Sequence, residues 1–240
     1  MTHQPSSVTL AAMEALAGEF EAAWAQFQDL NNLRLVPDTL EAEWTRGRDT
    51  YLAFLVPVDD PHVAEHLRKL VRAVEDIPGV DPYPEAYWHM TIKGAGFENQ
   101  KADRPEDVSP GNVRSIAEAA RALFAQQPPF EARVGLAAAF PEVVFAEVWD
   151  ALPVRELNER VLRAIPALVR YPFDGPHFLP HVSIARFTSH QGLSRLKETV
   201  ASLREEGAGP KFSVRQIRFI RAHLSKLAPT FETIESYRLS

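Results

Sequence analysis

Two short stretches of the chain alternate polar and apolar residues in the same order. One reads HMTI from His89, and the other reads HVSI from His181. Because alternate side chains of a β-strand point to the same face, each stretch predicts a strand with a histidine and a hydroxyl on one face. The other face of each strand is apolar and is predicted to be buried. We therefore expect one cleft in which His89 and His181 face each other.

The hydrophobic spacing elsewhere predicts helices interleaved with strands. Helices are predicted over 8–30, 61–74, 110–126, 153–169 and 192–205. Strands are predicted over 51–58, 86–93, 130–138, 143–149, around His181, and over 212–222 and 230–238. Residues 96–111 and 171–180 carry the Gly, Pro, Asp and Asn residues that are typical of loops.

This order of elements favours an α+β fold over a doubly wound parallel sheet, because hairpin-like strand pairs are mixed with β-α units. The repeated histidine stretch predicts two lobes related by an approximate two-fold axis. Their antiparallel or mixed sheets would flank a central cleft, with the helices outside. We divide the chain into an N-terminal helical extension, residues 1–48, and a single bilobal domain, residues 49–240.

Composition narrows the classes of protein to consider. The 240 residues are 45% hydrophobic, which suffices for one large domain or two small lobes. The chain has no cysteine, which excludes disulfides, thiolate chemistry and cysteine zinc sites. Charged residues interrupt the N-terminal segment and no apolar run approaches a membrane span, so we expect a cytoplasmic protein that does not bind membranes.

Charge is unevenly spread along the chain. Residues 151–240 carry 14 basic and 8 acidic residues, whereas the whole chain has a net charge of −6. An acidic protein is a poor non-specific binder of long nucleic acid, which depends on many phosphate contacts. The basic C-terminal part could still hold a small phosphorylated ligand, or the asymmetry could reflect solvated helices alone.

The residue types in the two stretches suit a phosphodiester. Histidine titrates near neutral pH, so one ring can act as a base and the other as an acid. The hydroxyls of Thr91 and Ser183 can donate to phosphate oxygens. Lys93 is expected on the same strand face as His89. Arg186 is expected on the opposite face from His181 unless the strand bulges.

The paired stretches, together with the surrounding sequence FLPHVSIARF, resemble the 2H phosphoesterase superfamily, which includes the LigT-like RNA cyclic phosphodiesterases called 2′-5′ RNA ligases. The resemblance covers residues 50–238. The first motif departs from it, since Lys93-Gly94 follows where LigT-like members usually continue with an apolar stretch ending in Leu-Gly.

The resemblance implies a cofactor-free, metal-independent phosphodiesterase. Its substrates would be 2′,3′-cyclic or related small nucleotide phosphodiesters, including 2′-5′ linkages, cyclic ADP-ribose phosphate and RNA ends, with 2′-5′ ligation as the reverse reaction. By the same resemblance, His89 and His181 form the acid–base pair, and Thr91 and Ser183 hold the phosphate. Lys93 and Arg186 are further candidates for substrate contacts because of their charge and their places on the two strands.

Other interpretations remain open at the level of sequence. A non-catalytic module that binds nucleotides or RNA would keep the same cleft. His62 and His66 match the HxxEH pattern of a zinc site, although no third ligand is evident. His89 and His181 could instead hold a metal in a cupin-like site, but their hydroxyl neighbours suit phosphate better. His177 and five nearby aromatic residues are weaker candidates for lining the cleft: Tyr87, Trp88, Phe97, Phe178 and Phe187.

Overall fold

A computed structural model of the protein describes residues 7–35, 44–150, 152–224 and 228–240. These residues form the predicted α+β fold. Its α-helices are α1 (Ser7–Asp29), α2 (Pro61–Val74), α3 (Pro110–Phe124), α4 (Leu152–Ala164) and α5 (Leu193–Glu205). Its strands are β1 (Thr50–Pro57), β2 (Val80–Pro82), β3 (His89–Glu98), β4 (Asp107–Val108), β5 (Phe130–Ala139), β6 (Val143–Trp149), β7 (His181–Phe187), β8 (Lys211–Val214), β9 (Gln216–His223) and β10 (Thr230–Arg238).

The strands form one sheet with two similar halves, in the order β10-β9-β1-β3-β7-β6-β5-β8. The first half ends at β3 and the second begins at β7. Each half therefore contributes four antiparallel strands and places its histidine strand at the centre. The halves meet at a bridge between Met90 and Val182. The short strands β2 and β4 add to β7 and β3. The two predicted sheets are thus the two halves of one continuous sheet.

The segment predicted as one strand over 212–222 forms two strands. β8 pairs with β5 in the second half, whereas β9 pairs with β1 and β10 in the first half. Arg215 separates the two strands. The chain crosses between the halves here, and a continuous apolar pattern cannot show this because both strands contribute to the same core.

Two other boundaries differ from the prediction. β3 begins at His89, after a 3₁₀ turn at Glu85–Tyr87, and continues to Glu98 through residues predicted as loop. α4 ends at Ala164 rather than near residue 169. Pro166 accounts for this end, because a proline disfavours helical backbone in the residue before it.

Four helices cover one face of the sheet. α3 and α4 pack on β10 and β3, and α2 and α5 pack on β7 and β5. The main apolar core lies between these helices and the sheet and runs through both halves. Asp60 fixes the start of α2, because its Oδ1 accepts hydrogen bonds from the backbone amides of His62 and Val63.

α1 packs on β5 and β6, where Leu16 and Phe20 cluster with Ala138 and Phe145. Lys197 donates to the carbonyls of Gln28 and Leu30, both at 2.6 Å, and so holds the end of this helix against α5. Two contacts thus tie α1 to the second half. The division into an extension over 1–48 and a domain over 49–240 stays a prediction.

Candidate active site

The two histidine motifs meet where the halves of the sheet join. Met90 and Val182 lie opposite each other in an antiparallel pair. In such a pair the flanking residues follow in reverse order, so His89 lies beside Ser183 and Thr91 lies beside His181. All four of these side chains line one cavity of about 650 Å³.

The backbone holds both imidazole rings in the same way. Nδ1 of His89 lies 2.5 Å from the carbonyl oxygen of Tyr87, and Nδ1 of His181 lies 2.7 Å from the carbonyl oxygen of Leu179. A carbonyl oxygen can only accept, so Nδ1 carries the proton in each ring and donates it. Nε2 of each neutral ring therefore keeps its lone pair for proton transfer.

Burial favours the neutral form of both rings in the unliganded protein. The pKa of His89 is lowered to about 4, mainly by burial, with a further contribution from the nearby His181 and an opposing one from the bond to Tyr87. Burial also lowers the pKa of His181, against the effect of its bond to Leu179. A bound phosphate anion would raise both pKa values, because an opposite charge favours the protonated ring.

Aromatic rings fix the orientation of each histidine. The centroid of the His89 ring lies 5.0 Å from that of Tyr87 and 5.1 Å from that of Phe231, both nearly perpendicular to it. The His181 ring lies 5.2 Å from Phe140 and 5.2 Å from Phe145. These apolar neighbours also explain the burial that lowers both pKa values.

Each histidine strand carries a bulge immediately after its hydroxyl residue. On β3, Thr91 is opposite Leu55 and Lys93 is opposite Phe54, so Ile92 is an extra residue. On β7, Ser183 is opposite Phe145 and Ala185 is opposite Val144, so Ile184 is extra. Because opposite residues in an antiparallel pair share a face, the extra residue reverses the alternation after it.

The bulge at Ile92 moves Lys93 away from the cavity, and the expected placement of Lys93 beside His89 is wrong. Lys93 is fully buried on the helix-covered side of the sheet. Its Nζ donates to Oδ2 of Asp174 at 2.7 Å and to the carbonyl of Val169 at 2.8 Å. Asp174 also accepts from Asn158, which in turn donates to the carbonyl of Ile92. We therefore do not propose a contact between Lys93 and the substrate.

The bulge at Ile184 has the opposite consequence for Arg186. It brings this residue onto the cavity face, where Arg186 lines the same cavity as the histidines. Asp81 lies directly across from it on β2, and the two side chains form an ion pair with a shortest separation of 2.7 Å. The guanidinium carbon lies 5.7 Å from the centre of the Tyr83 ring. Arg186 thus forms a polar part of the cavity wall, and its charge is already paired with that of Asp81.

Gly94 occupies on β3 the position that Arg186 occupies on β7, two residues beyond the bulge. A Cβ at Gly94 would lie 2.1 Å from the hydroxyl oxygen of Tyr51. The absence of a side chain here makes room for Tyr51, which lines the cavity. The departure noted in the first motif therefore has two structural consequences, a buried lysine and a space filled by a tyrosine.

The aromatic candidates near the motifs divide into two groups. Tyr87 and Phe178 line the cavity, whereas Trp88, Phe97 and Phe187 are buried in the core. His177 also lines the cavity, although its side chain is mostly exposed. Sequence reasoning missed Trp44 and Phe173, which both line the cavity. They lie outside the predicted strands, and no periodic pattern marks them.

Within the described parts of the chain, no group of three or more histidine, aspartate or glutamate side chains is arranged to hold a metal ion. His62 and His66 lie on α2, on the other side of the molecule's core from the two catalytic candidates, and His66 packs against Gly209. None of the helices in those same parts is long and apolar enough to cross a membrane.

Known proteins are similar to this chain in sequence and in fold. The family model described as the 2′-5′ RNA ligase superfamily matches residues 59–226. An RNA 2′,3′-cyclic phosphodiesterase of Geobacillus stearothermophilus is 30% identical over 161 residues. That match covers 65% of this chain but only 46% of the relative, so the chain spans about half of that protein's length.

Solved structures agree with the fold. The protein TT0787 of Thermus thermophilus is 17% identical, with a TM-score of 0.56 over 79% of this chain and 97% of that one. Escherichia coli LigT complexed with 3′-AMP is 15% identical, with a TM-score of 0.57 over 80% of this chain and 99% of that one. The family match covers most of the chain, so the protein belongs to the 2′-5′ RNA ligase superfamily, within the 2H phosphoesterases.

Proposed function

We propose that this member of the 2′-5′ RNA ligase superfamily is a phosphodiesterase that opens a 2′,3′-cyclic phosphate or a related small nucleotide phosphodiester by two-histidine acid–base catalysis, without a metal. The observation that carries the proposal is the register of β3 against β7, which sets two histidines with Nδ1 held by backbone carbonyls beside two hydroxyls. The name of the Geobacillus relative and the 3′-AMP bound to LigT support the substrate class.

The proposed reaction uses the four cavity side chains as follows. Nε2 of one histidine removes a proton from water, whose oxygen attacks phosphorus. The bond from phosphorus to one ribose oxygen breaks, and the other histidine donates its proton to that oxygen. Thr91 and Ser183 donate hydrogen bonds to the non-bridging oxygens, where negative charge increases in the transition state. With a 5′-hydroxyl in place of water, the same steps would be 2′-5′ ligation: one ring takes the proton of that hydroxyl, its oxygen bonds to phosphorus, the bond from phosphorus to the ribose 3′-oxygen breaks, and the other ring protonates the 3′-oxygen.

The acid must be protonated although both pKa values are low in the unliganded protein. The phosphodiester anion supplies the compensating charge, since its approach raises the pKa of both rings. Repulsion between the two imidazolium ions then keeps one ring neutral. Substrate binding itself thus produces the mixed protonation state that the reaction needs.

Hydrolysis of 2′,3′-cyclic mononucleotides, 2′-5′ dinucleotides and ADP-ribose cyclic phosphate in excess EDTA tests this proposal. We expect turnover to survive the chelator and to fall by about 10²- to 10⁴-fold in both His89→Ala and His181→Ala. His62→Ala, which removes an imidazole outside the cavity, is the matched control and should leave turnover unchanged. Undiminished turnover in both cavity variants would contradict the mechanism, and tight nucleotide binding without turnover would favour a non-catalytic binding module.

A further inference from the structure

Two large apolar side chains are conspicuously exposed in the described parts of the protein, and both border the histidine cavity. Trp44 is 40% exposed and Phe173 is 57% exposed. They are the large hydrophobic residues with this degree of exposure among the described residues, and both line the cavity. Exposed apolar surface that is concentrated at one cavity indicates a ligand rather than chance.

The two side chains belong to one continuous aromatic wall. The Trp44 ring packs on Tyr51 with centroids 4.9 Å apart, and the hydroxyl of Tyr51 lies 3.3 Å from that of Tyr171. The Tyr171 ring is stacked on Phe173, with centroids 5.3 Å apart and planes 9° from parallel. Trp44 and Phe173 are therefore the exposed ends of a wall whose centre is fixed by Tyr51 and Tyr171.

The buried Lys93 holds the Phe173 end of this wall in place. Asp174, the residue after Phe173, accepts from Nζ of Lys93 and from the backbone amide of Tyr171, both at 2.7 Å. Nζ also lies 4.4 Å from the centre of the Tyr171 ring. A loop side chain with an exposed ring is thus anchored to β3 by a buried ion pair, which limits the conformations that it must give up on binding.

The wall lies on the first half of the sheet, on the side where Gly94 replaces the equivalent of Arg186. The second half presents the polar Arg186–Asp81 pair instead. A cavity of about 650 Å³ exceeds what a phosphate group alone requires and matches a small organic molecule. A ligand with its phosphate at the histidines would therefore extend a flat, apolar group along the aromatic wall.

We infer that Trp44 and Phe173 hold the heterocyclic base of the substrate by stacking, with Phe173 positioned by the Lys93–Asp174 pair; this inference rests on the proposed function. Every base has a π-face, so the site selects nucleotides over base-free cyclic phosphates and does not distinguish strongly among bases. Trp44 and Phe173 are specificity-determining residues, and the chemistry at phosphorus stays with the histidines.

Steady-state kinetics on two substrates test the inference. Adenosine 2′,3′-cyclic phosphate carries a base, whereas glycerol 1,2-cyclic phosphate carries none. We expect Trp44→Leu and Phe173→Leu each to raise KM for the nucleotide by about five- to hundredfold, with kcat and all constants for the base-free substrate unchanged. Phe173→Tyr should restore the nucleotide KM, because it returns a stacking ring. Phe212→Leu, the same change on a half-buried phenylalanine of β8, should change neither substrate.

Equal effects on the two substrates, or none on either, would overturn the inference. Binding of adenosine 2′-monophosphate, measured by calorimetry on the same proteins, separates this outcome from failure of the proposed function. If nucleotide binding depends on Trp44 and Phe173 but no turnover is seen, the base site is supported and the phosphodiesterase activity is rejected. Turnover with no dependence on these rings would do the reverse.

Discussion

Each half of the sheet carries a histidine strand with the same pattern of residues. The cavity faces of the two halves differ in what covers them. In the second half, α1 covers this face, and Phe20 lies 6.5 Å from Phe145, which itself contacts His181. In the first half, the corresponding face carries Leu55 and Phe231 and lines the open cavity. Both histidines line the cavity, but Phe145 beside His181 is packed against α1, whereas Phe231 beside His89 is half-buried and faces the cavity.

The features that occur in both halves of the sheet have a different role from those that occur in only one half. Histidine, hydroxyl and bulge occur in both halves, and these are the parts that an acid–base reaction at phosphorus uses twice. The counterparts of Lys93 and Gly94 on β3 are Ala185 and Arg186 on β7. Only Lys93 and Gly94 help to position residues of the aromatic wall. In the function proposed above, the duplicated features carry the chemistry, and the features found in one half only carry selectivity for the ligand.

The largest expected effect comes from removing the packing between α1 and the second half of the sheet. Phe20 is 1% exposed, so Phe20→Ala leaves a cavity beneath Phe145, and we expect a loss of about 3–5 kcal/mol in the free energy of unfolding. Chemical denaturation measures this loss.

The matched change in the first half is Phe231→Ala, on a half-buried ring that contacts His89. This variant should lose less stability than Phe20→Ala and should lower kcat, because the His89 ring loses one of its two aromatic neighbours. Equal losses of stability in the two variants would remove the distinction between a packed and an open half.

Removal of the lysine that distinguishes β3 has the next largest effect. Lys93→Met leaves Asp174, 4% exposed, without its counter-ion, and we expect a loss of about 3–5 kcal/mol, toward the lower end because Asn158 and the Tyr171 amide still donate to it. Adding Asp174→Asn should recover part of the loss.

The surface pair Lys69–Glu206, at 2.5 Å, provides the control for this experiment. Lys69→Met should cost no more than about 1 kcal/mol, since exposed ion pairs contribute little. If Lys93→Met proved equally mild, the buried ion pair would not be the anchor of the loop that carries Phe173.

Much of this arrangement follows from sequence periodicity, and the exceptions have identifiable causes. Alternation located both histidine strands and paired His89 with Thr91 and His181 with Ser183, because buried apolar residues on the opposite face set the register. The positions of Lys93 and Arg186 could not be derived in this way. A bulge inserts one residue without a compositional signal, since Ile92 and Ile184 look like ordinary strand residues. It reverses the side chains that follow it, on β3 as far as a second bulge between Gly94 and Gly96.

The aromatic wall was beyond sequence reasoning for another reason. Trp44 and Phe173 lie far apart along the chain and outside the regular elements that periodicity detects. Tertiary contacts bring them together, through Tyr51, Tyr171 and the anchor that Asp174 forms with Lys93. The sequence does not indicate that Asp174, in a loop, pairs with Lys93, in a strand, until the bulge before Lys93 is known.

The shared environment of the two histidines predicts the pH dependence of the reaction. Both pKa values are below the usual 6.5, so the form with one neutral and one protonated ring is most populated between those two values, at a pH below 6.5. We expect kcat/KM, which reports the free enzyme, to have a bell-shaped profile with its maximum there and to fall by about tenfold per pH unit above it. The maximum of kcat should lie at higher pH, because the bound anion raises both pKa values. A kcat/KM maximum above pH 7 would contradict the burial of both rings.

The smallest expected effect concerns the two hydroxyls, which the register places symmetrically about the join between the halves. Thr91→Val and Ser183→Ala each remove one donor to a phosphate oxygen, and we expect each to lower kcat/KM by about three- to tenfold, which corresponds to one hydrogen bond of ordinary strength. If the two halves contribute equally to phosphate binding, the two losses are similar and the double variant shows their product. A loss confined to one variant would show that the phosphate rests mainly on one strand, so that the asymmetry of the aromatic wall extends to the phosphate as well.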